Sequence, residues 1–454
     1  MKIFNKRESW KSRIGFMSAA LGSAVGLGSI WRFPYVVGQN GGAAFIFLYV
    51  FFLVIIGFPI LVSEIVIGRT AKSSPYGAFK DLSKSRLFGF FGKVTIFTGF
   101  IISSFYSVIA GWTLGYLVEA LFNNLNFSST SSALFHFDKL SSSSFFSLGY
   151  HFIFMILSTF ILFFGVRNGI ESKSKILMPM LFIVLIILVI KGLSLPNSFE
   201  GIKFLLYPNF KLLTAEGILI ALGQAFFTLS LGQGTMVTYG SYLSKDENIP
   251  NSCFPVVVLN SIIALLMGVA IFTTIFSANL KPTAGPSLIF ETLPIVFSGM
   301  KFGYFIAILF FLLTAIAAIT SQISAMEPLI AYFIDEKSFS RRKASITTGV
   351  LAFLFGIPSA LSFGLLKDYK IFNANFFEIV SYVSVNILVP LGGLFAVILI
   401  GYKWKVKNAF EHLNVKNESF FHHRPFLAFY FYACIKYISP VLIILILLNL
   451  LGIF

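Results

Sequence analysis

Residues 22–29 read GSAVGLGS, three glycines and two serines in eight positions, with Arg32 shortly after. A second stretch, ALGQAFFTLSLGQGTMVTYGSY (221–242), carries Thr228, Ser230, Gly232, Gln233 and Gly234. Glycine costs a helix interior about 1 kcal/mol relative to alanine, so both stretches favour a backbone that leaves the helix. Released carbonyls and nearby hydroxyls are neutral oxygen ligands for a hard cation. Released N–H groups at a half-helix N-terminus hold an anion such as a carboxylate. Close helix packing, for which Gly22 and Gly26 have the small-xxx-small spacing, is the alternative for the first stretch; the second is harder to explain that way.

Both stretches lie inside apolar segments. Of 454 residues, 57% are hydrophobic, 17% aromatic and only 11% charged, against about 25% charged in soluble domains. Eleven spans are predicted, near 13–37, 42–70, 90–123, 146–165, 170–191, 214–242, 251–278, 301–334, 343–363, 375–402 and 428–452, each close to the length a bilayer requires. The fold class is therefore an all-α integral membrane protein. Irregular backbone at membrane depth is tolerated only where it lines a cavity or is buried in protein. Interrupted first and sixth spans suggest two five-span halves of inverted topology around a central binding site. The chain then reads as a single transmembrane domain, with repeats over 13–191 and 214–402 and one further span, 428–452. Serine-rich 123–144 reads as a surface loop. Segment 281–294, with three prolines, reads as a loop folding back over the outer mouth.

The formal charge of +16 comes from basic residues in alternate loops: Lys2 to Arg13, Arg69 to Lys93, Arg167 to Lys175, Lys337 to Lys343 and Lys403 to Arg424. That is the positive-inside pattern. It puts the N-terminus in the cytoplasm and, with an odd span count, the C-terminus outside a cell membrane. It also removes the need for a nucleic-acid partner; the expected partners are the lipid bilayer and a small-molecule substrate. The first apolar run is too long and glycine-rich for a cleaved signal. Cys253 and Cys434 lack metal spacing and read as buried thiols.

Catalysis finds no constellation in the spans, neither Ser/His, HExxH nor paired aspartates, so an enzyme is not expected. His136, His412, His422 and His423 fall in loops or at span ends, and His151 enters the fourth span alone. Span acids are few (Glu64, Glu119, Glu327, Glu378), too few for a visible proton relay. A channel would want pore-lining repeats or an oligomeric ring. A proton-coupled transporter of the same fold and, from another class, a channel stand as the alternatives to a carrier coupled to another cation.

GSAVGLGSIWRFP (22–34), followed by QNGGAAF (39–45), resembles the first two spans of the neurotransmitter:sodium symporter family. GWTLGY (111–116), GQAFFTLSLGQG (223–234), TYGSY (238–242), ITSQISAMEP (319–328) and NILVPLGG (386–393) are similar to it as well. The matches run in order from residue 7 to about 440, and the eleven-span length resembles the short bacterial amino-acid members. The resemblance implies a LeuT-type 5+5 inverted-repeat bundle and sodium-coupled import of an α-amino acid by alternating access.

It also implies site residues. Sodium site two would use the carbonyls of Gly22, Val25 and Ala317 with the hydroxyls of Thr320 and Ser321. Sodium site one would use the Ala24 carbonyl, Ser29, Thr228, Asn260 and the substrate carboxylate. That carboxylate would meet the N–H groups of Leu27 and Gly28 and the Tyr106 hydroxyl. The ammonium would meet carbonyls of Ala24, Phe227 and Thr228 and the Ser230 hydroxyl. Ile102, Phe227, Gln233, Ser321 and Ala325 would shape the side-chain room. Arg32 with Glu378 would latch the outer mouth, and Arg7 with Asp335 the inner one, supported by Trp10 and Tyr242. Gly169 and Pro179 have the spacing that lets the inner part of the fifth span unwind in related short members; an ordinary proline kink is the alternative.

Five positions depart from the family or discriminate within it. Residue 29 is serine where the family normally has asparagine. Residue 264 is alanine where chloride-dependent relatives have serine and chloride-independent ones glutamate. Together these imply coupling to a single sodium, at site two, without chloride; a water bridging Ser29 to an ion at site one is the alternative. Gly26 stands where monoamine carriers place an aspartate, which favours free α-amino acids. Small Ala325 and polar Gln233 imply a pocket for large side chains, aromatic or polar neutral. Nothing in the sequence fixes an oligomeric state.

Overall fold

The apolar runs become a bundle of long helices. The structure is a computed structural model that describes residues 7–278, 289–413 and 424–450. Helix α1 runs over Arg13–Ala24 and, after a break, Gly28–Gln39, the two halves bent by 58°. It is followed by α2 (Ala43–Ala71), α3 (Arg86–Leu121), α4 (Ser144–Phe163) and α5 (Val166–Leu193). Helix α6 is again in two pieces, Ala215–Thr228 and Thr235–Ser241. Then come α7 (Ile249–Ser277), α8 (Gly303–Lys337), α9 (Arg341–Leu361), α10 (Phe376–Lys403) and α11 (Pro425–Leu450).

Among the described residues nine helices are long and apolar enough to cross a membrane, and the bent α1 pair makes a tenth. The pieces of α6 are each too short to span alone, as expected of a span broken in the middle. Boundaries differ from the sequence reading by a few residues: α3 begins at Arg86 rather than 90, and α8 reaches Lys337 rather than 334.

The serine-rich stretch 123–144 is corrected. It contains a helix, Thr130–Ser142, started by a capping box between Ser129 and Ser132; serines that look like loop residues are here a helix start signal. Of the segment expected to fold over the mouth, 281–288 lies outside the described residues. The chain then enters a short helix, Thr292–Ser298. Its Ser298 hydroxyl accepts from the Phe127 N–H at 3.0 Å and donates to the Leu125 carbonyl at 2.8 Å.

Two features position the centre. Helices α3 and α8 pack along each other, and a Cβ at Gly99 of α3 would meet the carbonyls of Gln233 and Ala325 at 2.9 and 3.0 Å. The start of α5, Val166–Glu171, is a π-helical turn. It is bound to the N-terminal segment: the Val166 N–H donates to Glu8 Oε2 at 2.5 Å, Arg167 donates to the Ser9 carbonyl at 2.8 Å, and Glu171 accepts from the Lys11 N–H at 2.6 Å. Gly169 lies in that turn and Pro179 within the α-helical remainder.

Candidate functional site

The breaks in α1 and α6 meet, and their freed backbone groups find partners. This accounting matters because an unpaired backbone group away from water costs free energy comparable to a lost hydrogen bond. The Leu27 N–H donates to the Tyr106 hydroxyl at 2.9 Å. The Ser23 carbonyl accepts from Ser230 Oγ at 2.9 Å and Ser321 Oγ at 3.1 Å. The Gly232 N–H donates to Glu64 Oε1 at 2.7 Å. Ser230, Gly232 and Gly234 all have positive φ, 53°, 74° and 77°. At Gly232 a side chain would also strike the Val389 carbonyl of α10, so backbone packs on backbone there.

The breaks enclose a cavity lined by Ser23, Ala24, Gly26, Gly28, Ile102, Tyr106, Phe227, Thr228, Ser230, Gln233, Ser321 and Ala325. Every residue that the resemblance places around the substrate lines it except Leu27, which reaches it through its N–H. Its free space is about 30 Å³, enough for one water, so a large side chain enters only if a wall moves. One wall is the Phe227 ring. It lies so close to Gly28 that a Cβ there would strike it, and the Arg32 guanidinium stacks over it with Cζ 5.3 Å from the centroid.

Beside the cavity lie two oxygen clusters. In one, Ser321 Oγ is 3.1 Å from the Gly22 carbonyl and Thr320 Oγ1 is 3.0 Å from the Ala317 carbonyl. A Cβ on Gly22 would contact Thr320 Cβ at 3.0 Å, which brings the α1 break against α8. Val25 is fully buried at the same break. In the other, Ser29 Oγ lies 3.2 Å from the Ala24 carbonyl and 3.1 Å from Thr228 Oγ1. Asn260 reaches this region by donating to the Tyr49 hydroxyl at 3.2 Å, and its Oδ1 is buried without a hydrogen-bond partner. Both clusters are neutral oxygen sets of the kind a hard cation takes.

Arg7 and Asp335 are paired at 2.5 Å. Arg7 also donates to Ser241 Oγ at 2.7 Å and stacks over Tyr242, while Asp335 accepts the Ser74 N–H at 2.6 Å. Trp10 packs beside them, its indole N–H donating to the Tyr239 carbonyl at 3.0 Å. Just beyond α2, the Lys72 ammonium donates to the Leu243 carbonyl. Burial, with Arg69, Arg7 and Lys245 nearby, pushes its pKa down to about 8.

Arg32 and Glu378 are not paired, and this corrects the expected outer latch in the present arrangement. Arg32 Nη1 donates to Gln224 Oε1 at 3.0 Å. Glu378 is exposed at the start of α10, where its carboxylate accepts the Asn375 N–H at 2.8 Å in a capping box. It is a helix-end residue rather than a charge within a span.

The sequence reading missed several residues that build this region. Ser23 and Ser324 join through their hydroxyls at 2.7 Å, and Gln224 both holds Arg32 and donates to the Gly28 carbonyl at 3.3 Å. Arg341 is bidentate on buried Glu327 at 2.6 and 2.8 Å, and Tyr242 donates to the same carboxylate at 2.6 Å. A glutamate followed fourteen residues later by arginine gives no local signal, although an acid inside a span was itself a flag.

The sodium:neurotransmitter symporter family profile matches residues 7–145 and 147–453. The chain belongs to that family. It is 40% identical over 449 residues to an "uncharacterized sodium-dependent transporter" of Bacillus subtilis (strain 168), covering 99% of this chain and 98% of that protein. It is 33% identical over 435 residues to another from Methanocaldococcus jannaschii, covering 91% and 86%. Among solved structures, MhsT in complex with L-phenylalanine superposes with a TM-score of 0.89 at 39% identity, covering 98% of this chain and 99% of that one. The architecture is thus that of the LeuT-type transporters, and this symporter is a multi-pass membrane protein of a sodium-dependent transporter family.

Proposed function

We propose that this protein is a sodium-coupled symporter that imports a neutral α-amino acid with a large side chain, aromatic or polar, by alternating access. The observation that carries the reading is the cavity at the two helix breaks. There the Leu27 N–H, the Tyr106 hydroxyl and the Ser230 hydroxyl converge beside two neutral oxygen clusters. The α-carboxylate sits at the N-terminus of the second half of α1 with Tyr106, and the ammonium among the carbonyls of Ala24, Phe227 and Thr228 with Ser230. Gly26 supplies no carboxylate, so a substrate bearing its own is required. The solved relative that holds L-phenylalanine supports a large side chain, as do Ala325 and Gln233 in the cavity wall.

The chain works as one unit, with inverted repeats over 13–191 and 214–402 and α11 outside them. Loop charge puts the Arg7–Asp335 end in the cytoplasm and the C-terminus outside. Sodium binds at site two, formed by Gly22, Val25, Ala317, Thr320 and Ser321, and chloride is not used. A second reading, with sodium at site one too, is favoured by the unpartnered Asn260 Oδ1 and by the approach of Ser29 to Ala24 and Thr228. The test is uptake into proteoliposomes under an imposed sodium gradient, with one labelled amino acid and a competition panel of all twenty. Sodium-dependent uptake inhibited best by large neutral side chains fits. Uptake driven equally by a proton gradient in sodium-free buffer, or strongest inhibition by glycine and alanine, overturns it.

A further inference from the structure

Helices α4 and α9 leave a groove of about 390 Å³ on the outer wall of the bundle, which shares no lining residue with the central cavity. Its sides are Phe152, Ile156 and Phe160 of α4 and Ile346 and Val350 of α9, each between 49 and 61% exposed. Its floor is narrowest at Gly349, where a Cβ would strike the Thr159 side chain. Thr159 is the one polar side chain in the lining. From Phe152 to Phe163 the groove follows twelve residues of helix, eleven steps or about 16 Å at 1.5 Å each. That matches one leaflet, half of a hydrocarbon core about 30 Å thick.

The groove ends at a charge. Phe163, its last residue, lies under the Arg342 guanidinium, Cζ 5.0 Å from the ring centroid. Neighbouring cations are otherwise engaged: Arg341 by Glu327, and Lys343 over the Phe339 ring at 4.2 Å. Arg342 is exposed and makes no ion pair among the described residues. An apolar slot one leaflet deep, ending at a guanidinium on the side that loop charge assigns to the cytoplasm, fits one class of molecule. A guanidinium also suits a phosphate by its planar fork of donors.

We propose that the α4–α9 groove binds an anionic glycerophospholipid of the cytoplasmic leaflet, one acyl chain lying from Phe163 to Phe152 and the phosphate on Arg342. The proposal is independent of which amino acid is carried. It is tested by native mass spectrometry of the full chain released from vesicles of equal phosphatidylglycerol and phosphatidylcholine with identical acyl chains. Wild type retains phosphatidylglycerol over phosphatidylcholine by roughly fivefold, the value of one charge near a lipid surface. Arg342→Gln brings the ratio close to one. Ile156→Trp, which fills the slot from its lipid-facing side, lowers retention of both lipids. Lys343→Gln leaves the ratio unchanged. Equal retention of both lipids by wild type, a ratio insensitive to Arg342→Gln, or retention insensitive to Ile156→Trp overturns the proposal. So does a selective adduct seen only on dimers, which would make the face a contact between two copies. Should a variant fail to fold, wild type alone decides: an unfolding midpoint no higher in phosphatidylglycerol than in phosphatidylcholine nanodiscs overturns it.

Discussion

Arg7 and Asp335 are joined at 2.5 Å across 328 residues of sequence, and each has a second tether, Arg7 to Ser241 and Asp335 to the Ser74 N–H. The pair therefore ties the segment before α1 to the ends of α6 and α8 and to the turn after α2. The two side chains are 16 and 18% exposed, so the contact is largely shielded from solvent. Losing Arg7 leaves Asp335 with one backbone donor. We expect Arg7→Ala to shift the balance toward conformations open at this end by about 1–2 kcal/mol, or five- to thirtyfold. The thiol of Thr238→Cys, a buried position one turn before Ser241, should then react faster with an impermeant thiol reagent applied from the side of the latch, and uptake should fall. Unchanged labelling and uptake would remove the pair from the gate.

The Gly26 position is tight. A Cβ there would collide with Ser321 Oγ and approach the Tyr106 hydroxyl at 2.9 Å. Gly26→Ala should therefore reduce amino-acid affinity at least tenfold by displacing the two hydroxyls, while the detergent-solubilised protein keeps its elution volume. Tyr106→Phe removes a partner of both the Leu27 N–H and the proposed carboxylate. A hydrogen bond to a charged group is worth about 1.5–3 kcal/mol, so KM should rise roughly ten- to a hundredfold. Wild-type KM in Tyr106→Phe would move the carboxylate elsewhere.

The legible part of this protein was whatever the lipid forces on local sequence. Long apolar runs have one available structure in a bilayer, so the spans could be read to within a few residues, and glycine clusters inside them marked both breaks. The cavity lining followed from motifs that resemble a known family and recur in order. What stayed hidden depends on partners distant in sequence. The Ser129 capping box lay inside a run of serines that reads equally as loop. Glu378 looked like a span charge because it lies in the first turn of the predicted span 375–402; its role as a cap rests on Asn375 opening the helix, and a first-turn acid reads equally as membrane charge or cap. The Glu327–Arg341–Tyr242 cluster draws on α8, α9 and the end of α6, and no periodicity announces it.

That helix cap sharpens the test of the outer latch. Glu378→Ala would impair transport by losing a charge or by losing a cap. Glu378→Gln separates the two, because glutamine also serves at the third position of a capping box but cannot pair with Arg32. If Arg32 and Glu378 meet when the outer mouth closes, Glu378→Gln and Arg32→Ala should both slow uptake, and reversing both charges together should restore part of it. Glu378→Gln with wild-type rates would leave Glu378 as a cap only. Arg32 would then act through Gln224 and the Phe227 ring, which it contacts already.

The number of sodium ions turns on Ser29 and Ala264. The Ser29 hydroxyl is near the Ala24 carbonyl and the Thr228 hydroxyl, and Asn260 Oδ1 stands unpartnered in the same region. Ala264, buried on α7 one turn from Asn260, contributes no charge and no hydroxyl. A second buried cation would therefore have only the substrate carboxylate to balance it, and a buried uncompensated charge costs several kcal/mol. We expect uptake to show a Hill coefficient for sodium near one and no change when gluconate replaces chloride. Ser29→Asn alone supplies a longer oxygen ligand but no compensating charge, and should leave the coefficient near one. Ser29→Asn with Ala264→Glu supplies both and should raise it toward two. A wild-type coefficient near two would mean that the cluster around Ser29 already holds an ion, and uptake abolished without chloride would mean that an anion is still required.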